Sequence, residues 1–306
     1  MIVDKFVPPH PLKTPVLFLI FNRLDTTKQV FEAIRKAEPP RLYIASDGPR
    51  ENKEGEKEKV ETIRKYVLEH IDWDCEVKTL FRDKNLGCGK AVSQAITWFF
   101  ENEEMGIILE DDCLPSQSFF WFCEELLERY KDDERIGMIS GFNYGYTNRL
   151  IKYSYYFSKY PMIWGWASWR NRWLNCDFNM NNLYEVELTK QLLLIFDNKK
   201  YKEKMNILKA VKENKIDTWD YQWSFNLYLN NQLTIIPKNN YIINIGFGYD
   251  ATHTKRGNCY EKVKNENIKI DFVHPPYLIQ DIKLYKFLNK KNNILINFLS
   301  KFRPKK

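Results

Sequence analysis

The sequence predicts an α/β fold: a mostly parallel central sheet with helices on both faces. Three observations carry that expectation. Short apolar runs without polar alternation suit strands buried on both faces. Helical-period segments separate successive runs, as crossover connections require. Polar or charged residues follow each run directly, at the strand ends where open α/β sheets collect ligands.

The elements follow in order. Residues 15–21, PVLFLIF, form a continuous run for a central strand, with Asn22 and Arg23 just beyond it. Asp25-Thr-Thr opens a helix in which Val30, Phe31 and Ile34 recur at helical spacing. RLYIAS at 41–46 gives a second strand ending on Asp47 and Gly48, and a charged helix is expected around 60–68. The third strand, 75–81, delivers Arg82 and Asp83, and the loop NLGCGK at 85–90 leads into a helix over 91–100. Gly106-Ile-Ile-Leu109 is the fourth strand and ends in Glu110-Asp111-Asp112. Beyond Tyr130 the pattern changes. A strand is expected at 137–142, an aromatic and irregular stretch over 153–173, helices near 188–196, 202–213 and 219–229, and a strand at 233–236. A glycine-bearing segment over 244–254 precedes a C-terminal helical appendage.

Composition narrows the classes. With 306 residues and 44% hydrophobic content the chain can bury a large core. The longest uninterrupted apolar run, 16–21, is too short to span a bilayer, and residues 1–15 carry charges and prolines, so a cytoplasmic protein is expected. Six cysteines without a CxxC pair and four histidines argue against a structural zinc site and for free thiols. The net charge of +7 is spread among interleaved acids except near the C-terminus, which does not favour nucleic acid as a partner. Residues 283–306 mix lysines with Leu, Ile and Phe, suiting either an amphipathic helix on an anionic membrane surface or a helix docked on the domain. Aromatic residues make up 15% of the chain, with Trp164, Trp166, Trp169 and Trp173 inside ten positions; such rings either pack a core or face a sugar.

The acidic triplet carries the chemistry. Carboxylates crowded at the end of a buried strand repel one another and are costly to desolvate, so they call for a counter-charge such as Mg²⁺ or Mn²⁺. A nucleotide diphosphate needs the same cation to neutralise charge on the leaving group. The bland alternative, an acidic turn capping the next helix, is weakened by the strand before the triplet and by the other polar strand ends.

A strand ending in Asn22-Arg23, one ending in Ser46-Asp47-Gly48 and one ending in Glu110-Asp111-Asp112 resemble, in that order, the GT-A nucleotide-sugar transferases. The chain is similar over about residues 14–255 to bacterial family-2-like enzymes and to the N-acetylglucosaminyltransferase I group. The resemblance implies a metal-dependent, inverting glycosyltransferase that moves a sugar, from a UDP-sugar by preference, to a glycan or glycolipid acceptor. It implies that Asp112 ligates the metal while Glu110 and Asp111 reach toward ribose and metal-bound waters, and that Asp47 receives the uracil or ribose. Arg23 and Arg82 would line the nucleotide pocket beside Asn22, with Lys90 near phosphate or sugar. Asp220, in TWDYQW at 218–223, stands where the N-acetylglucosaminyltransferase I group keeps its general base. The segment GFGYDATHT at 246–254 suits a loop closing over the donor, with His253 as a metal or diphosphate contact. Trp164, Trp166 and Trp169 would face sugar or acceptor. Residues 1–145 then form the nucleotide-sugar half and 146–275 the acceptor half of one domain, with 276–306 a basic amphipathic tail.

Two other readings were weighed. A sugar nucleotidyltransferase would open with a glycine-rich phosphate loop after the first strand, where this chain has Phe21-Asn-Arg-Leu-Asp25. A non-catalytic carbohydrate-binding protein could use the tryptophans alone, but leaves the acidic triplet without a purpose. Haloacid-dehalogenase, P-loop and Rossmann signatures are absent.

Overall fold

The computed structural model describes residues 6–146, 152–246, 265, 267–284 and 286–287. Strand β1 (Val16–Ile20) shows why an unbroken apolar run belongs at the centre. Side chains alternate across a sheet, so Val16, Phe18 and Ile20 enter one apolar cluster while Leu17 and Leu19 enter another on the opposite face. All five are buried. The helix α1 (Leu24–Ala37) covers the first face with Val30, Phe31 and Ile34, and stops at Glu38, whose left-handed backbone (φ 49°) donates its N–H to Ile34 and Arg35.

The chain continues through β2 (Arg41–Ser46), α2 (Glu56–Glu69), β3 (Glu76–Phe81), α3 (Gly87–Asn102), β4 (Met105–Glu110), β5 (Cys113–Pro115) and α4 (Gln117–Arg129). Then come β6 (Ile136–Ser140), β7 (Tyr155–Ser158), β8 (Trp166–Trp169), α5 (Arg170–Trp173), α6 (Leu183–Thr189), a 3-10 turn (Gln191–Leu194), α7 (Asn198–Lys212), α8 (Asp220–Leu229), β9 (Leu233–Pro237) and β10 (Ile242–Asn244).

An eight-stranded sheet runs in the order β3-β2-β1-β4-β8-β6-β9-β7. Pairing makes β1, β2, β3, β4, β6 and β9 parallel to one another and β7 and β8 antiparallel to them. The α/β class and mostly parallel sheet are therefore as the sequence predicts. One rim of the sheet carries the carboxyl ends of all six parallel strands and the starting ends of β7 and β8. A separate ribbon, β10 on β5, sits beyond the acidic triplet and pairs Asn244 with Cys113.

Three local expectations change. The stretch 153–173, read as irregular, contains β7, β8 and α5. The helix expected at 188–196 is instead α6 followed by the 3-10 turn, because Lys190 adopts a left-handed conformation (φ 53°) that ends α6. The segment after residue 275 is docked at least as far as Leu284, which is fully buried, and Gln280 bridges to Phe157. Residues 288–306, most of the basic amphipathic tail, lie outside the described residues. No helix among the described residues is long and apolar enough to cross a membrane. Cys75, Cys88, Cys113, Cys123 and Cys176 are free thiols.

The core face under α3 is dominated by indoles. Trp166, Trp173, Trp219 and Trp223 are all buried, with Trp166 stacked on Trp219 at 5.7 Å and Trp173 tilted against Trp223 at 5.1 Å. This settles two residues expected to face a ligand. Trp166 is 1% exposed inside that cluster, and Trp169, 3% exposed, donates its ring N–H to the Leu127 carbonyl under the Arg172 guanidinium. Both are core side chains, because strand β8 runs between β4 and β6 with its two faces covered.

Candidate active site

The rim gathers residues from five segments. Arg23, just past β1, directs Nη2 to Asp111 Oδ1 at 2.5 Å and to Asp112 Oδ2 at 3.0 Å. Burial would lower the Arg23 pKa, but the Asp111 and Asp112 charges outweigh it and hold it well above the usual value. Asp111 is buried and pushed up to about 6, first by loss of hydration; its Oδ2 is buried without a hydrogen-bond partner among the described residues. Glu110, at the end of β4, is held well above the carboxylate range by burial, then by the charges of Asp112, Asp111 and Asp220.

The last of these causes brings the second half of the chain into the site. Asp220 opens α8 and accepts a hydrogen bond from the Thr218 hydroxyl. The Cys88 thiol on the first turn of α3 is driven up by burial and then by the charges of Glu110, Asp217, Asp220 and Asp112, all of which lie within electrostatic reach of it. Lys204 of α7 is the cation on that side. Burial lowers its pKa, the Asp220 and Glu203 charges oppose the change, and its ammonium lies 5.3 Å from the Tyr221 ring centre.

Asp217 and Asp47 hold the walls. Asp217 spans from the loop before α8 to the start of α3, accepting the Cys88 and Gly89 backbone N–H groups at 2.8 Å each. Glycine is required there: Gly87 has φ +81°, and a Cβ on Gly89 would lie 2.8 Å from Asp217 Oδ1 and from the Thr218 carbonyl. Asp47 takes the Leu86 and Gly87 N–H groups and the Asn85 amide, which fixes the loop ahead of α3. Arg64 ties the ends of β2 and β3 by donating to the carbonyls of Ser46, Asp47 and Arg82.

The sequence-predicted residues thus separate into groups. Arg23, Glu110, Asp111, Asp112 and Asp220 come together. Asp47 and Lys90 stand at the neighbouring loop and first turn of α3, Asp47 with its oxygens engaged and Lys90 exposed. Arg82 lies within reach of the Asp47 charge and donates to Gln94 at 3.4 Å. Asn22 turns away toward α2, donating to Glu56 Oε1 at 2.9 Å. Trp164 stays half-buried, its ring 4.6 Å from Phe142. His253 lies outside the described residues. Lys204, Cys88 and Asp217 escaped the sequence reading, since no motif marks a lysine on an amphipathic helix or an aspartate that caps a helix 129 positions away.

The residues suit a divalent cation on grounds of charge. Arg23 pairs with Asp111 and Asp112 and Lys204 lies near Asp220, while Glu110 adds a further acid, and Asp111 keeps one buried oxygen without a partner among the described residues. Among the described residues, however, no three His, Cys, Asp or Glu side chains are already arranged as a metal-binding group. Ile245 and Gly246 come against this point: the Ile245 N–H donates to the Asp112 carbonyl at 2.8 Å, and a Cβ on Gly246 would lie 2.2 Å from Asp112 Oδ2, while the rest of the expected closing segment, 247–254, lies outside the described residues.

No family model and no curated protein matches the chain. Among solved structures it is similar to the mannosyltransferase PcManGT from Pyrobaculum calidifontis, in complex with GDP-Man and Mn²⁺, at 13% identity and a TM-score of 0.34, covering 55% of this chain and 47% of that one. It is also similar to S. aureus TarS 1–349 at 11% identity, TM-score 0.40, over 76% of this chain and 60% of that one. The inositol-1-phosphate CTP transferase from T. maritima matches at 11% identity and TM-score 0.36, over 74% and 85%. The chain spans 56% of the length of HddC from Yersinia pseudotuberculosis. With TM-scores this low, the functional reading rests on the residues of the rim.

Proposed function

We propose that this protein is a metal-dependent, inverting glycosyltransferase of the GT-A kind that takes a nucleotide-diphosphate sugar, UDP-linked by preference, and glycosylates a hydroxyl of a glycan or glycolipid. The observation that carries this reading is the meeting of Glu110, Asp111 and Asp112 at the end of β4 with Asp220 at the start of α8. One group of acids is suited to a cation and diphosphate, and a separate acid at the same point is suited to take a proton.

In the reaction, the acceptor oxygen bonds to the anomeric carbon as the bond from that carbon to the diphosphate breaks, and the hydroxyl proton passes to Asp220. The Thr218 hydroxyl, hydrogen-bonded to Asp220 Oδ1, orients the carboxylate for that transfer. Asp112, with Glu110 and Asp111 behind it, would hold Mn²⁺ or Mg²⁺, which when bound neutralises charge on the departing nucleotide. Arg23 pins Asp111 and Asp112 in place, and its own charge lies near the diphosphate. Asp47, Arg82 and Lys90 would serve the nucleotide, and Trp164 the sugar or acceptor.

The test is turnover of a panel of UDP-, GDP- and CMP-sugars with and without Mn²⁺, in wild type, Asp112→Ala and Asp220→Ala. Metal-dependent release of one nucleotide, lost in both variants while Asp220→Ala still binds the donor, is the expected result. Donor binding indifferent to Mn²⁺ and to Asp112 would sink the proposal.

A further inference from the structure

A cavity of about 310 Å³ opens at the far edge of the sheet, on the same rim as the acidic site. Its walls include Lys152 and Tyr153 ahead of β7, Lys238 and Tyr241 behind β9, and Lys269 and Asp271 from the C-terminal segment. Backbone pairing holds these three stretches together. The Lys238 N–H donates to the Ser154 carbonyl and the Ser154 N–H to the Val273 carbonyl, each at 2.9 Å. The Ser154 hydroxyl also accepts the Val273 N–H at 2.9 Å. The place is therefore built by contacts from Ser154 to residues 84 and 119 positions further along the chain.

Its charge is unbalanced. Lys269 pairs with Asp271 at 3.1 Å, whereas Lys152 and Lys238 have no side-chain hydrogen bond or ion pair among the described residues. Ammonium groups sharing one concavity repel one another, and that repulsion is relieved when an anion enters. The position matters as much as the charge. In the sheet order, β9 lies three strands and β7 four strands from β4. At a strand spacing of about 4.8 Å, this puts the cavity roughly 14 to 19 Å along the rim from Glu110. The Asn143 side chain, just after β6, ties the end of that strand to the end of β9 by donating to the carbonyls of Pro237 at 2.7 Å and Lys238 at 3.0 Å.

We infer that this cavity binds an anionic group, carboxylate or phosphate, on an extended acidic glycan whose reacting hydroxyl lies at Asp220. Its role as an acceptor subsite rests on the transferase reading; its affinity for anions does not. A ligand that spans both places is held by charge at one end and delivered to the base at the other, so the lysines act on acceptor binding and not on the chemical step.

Calorimetric titration of the full chain with an oligogalacturonate, with inorganic phosphate and with neutral maltohexaose tests the inference. Wild type should bind the oligogalacturonate or phosphate, and more weakly as salt rises from about 50 to 300 mM, while maltohexaose should bind far less well. In Lys152→Gln/Lys238→Gln, affinity for the anionic probe should fall about tenfold, the scale expected for two exposed charge contacts. The control is Lys57→Gln/Lys65→Gln, which removes the same charge from α2 at side chains 72% and 73% exposed; its affinity should match wild type. No anion binding, unchanged binding in the cavity variant, or equal weakening in the control would each overturn the inference. UDP and Mn²⁺ binding in the same samples reports on the transferase site separately, so failure of one reading is distinguishable from failure of the other.

Discussion

Glu56 carries the clearest residue-scale consequence. Its side chain, 5% exposed, accepts from the Arg50 N–H at 2.7 Å, from Arg50 Nε at 2.9 Å and from Asn22 at 2.9 Å, which joins the loops after β1 and β2. The Arg50 hydrogen bonds, against some loss of hydration, lower its pKa from 4.5 to about 2. A carboxylate depressed in the folded state contributes stability that is complete above the unfolded value and disappears as pH falls through the folded one. Glu56→Gln should therefore cost about 1 to 2 kcal/mol at pH 7, after allowance for solvent around Arg50, and the deficit should vanish toward pH 2. Urea unfolding across that range measures it. Lys204 offers a second case, this one catalytic. Lys204→Met removes a cation beside Asp220, so kcat should fall about tenfold while donor affinity holds. An unchanged kcat would detach Lys204 from the base.

At the scale of elements, the β5–β10 ribbon is the lever on the site. It brings Gly246 so close to Asp112 and Arg23 that a methyl group there would displace one or both. Gly246→Ala should weaken donor binding by about tenfold or more with little change in thermal stability, because the strain falls on functional side chains and not on the core. Titration with UDP, with and without Mn²⁺, beside a melting curve separates the two effects. The contrast with the sequence reading is instructive here. Strands β1, β2 and β4 were legible because each couples an apolar run to polar residues at its end, so the pattern names both the strand and its useful terminus. β7 and β8 were not: Tyr155–Ser158 and Trp166–Trp169 are four-residue strands rich in rings that could equally have lined a binding cleft. The ribbon strands, three residues each, carry no periodicity at all. Asp220 could be proposed from its Trp-Asp setting, yet its approach to Glu110 depends on how the second half of the sheet folds back, which no local pattern encodes.

On the scale of the whole molecule, residues past 275 belong to the fold at least through the docking of Leu284. Asp281 accepts from the Tyr146 hydroxyl at 3.2 Å and from the backbone N–H of Leu284 at 3.0 Å, seating that leucine. A chain ending at residue 287 should melt as the full chain does, whereas one ending at 277 should lose about 2 to 3 kcal/mol, the scale of one buried leucine. Chemical denaturation of both truncations decides whether the C-terminal segment is structural or dispensable. The indole cluster ties the two halves of the chain together in another respect. Trp219 immediately precedes Asp220 and stacks on Trp166, while Trp166, Trp173 and Trp223 remain in the core around it. Transition dipoles 5 to 6 Å apart couple strongly, so the near-ultraviolet dichroism of this protein should be dominated by one geometry. Any ligand that shifts the start of α8 moves Trp219 and Trp223 against Trp166 and Trp173 on other elements, and the molecule reports its own occupancy as light, without a label.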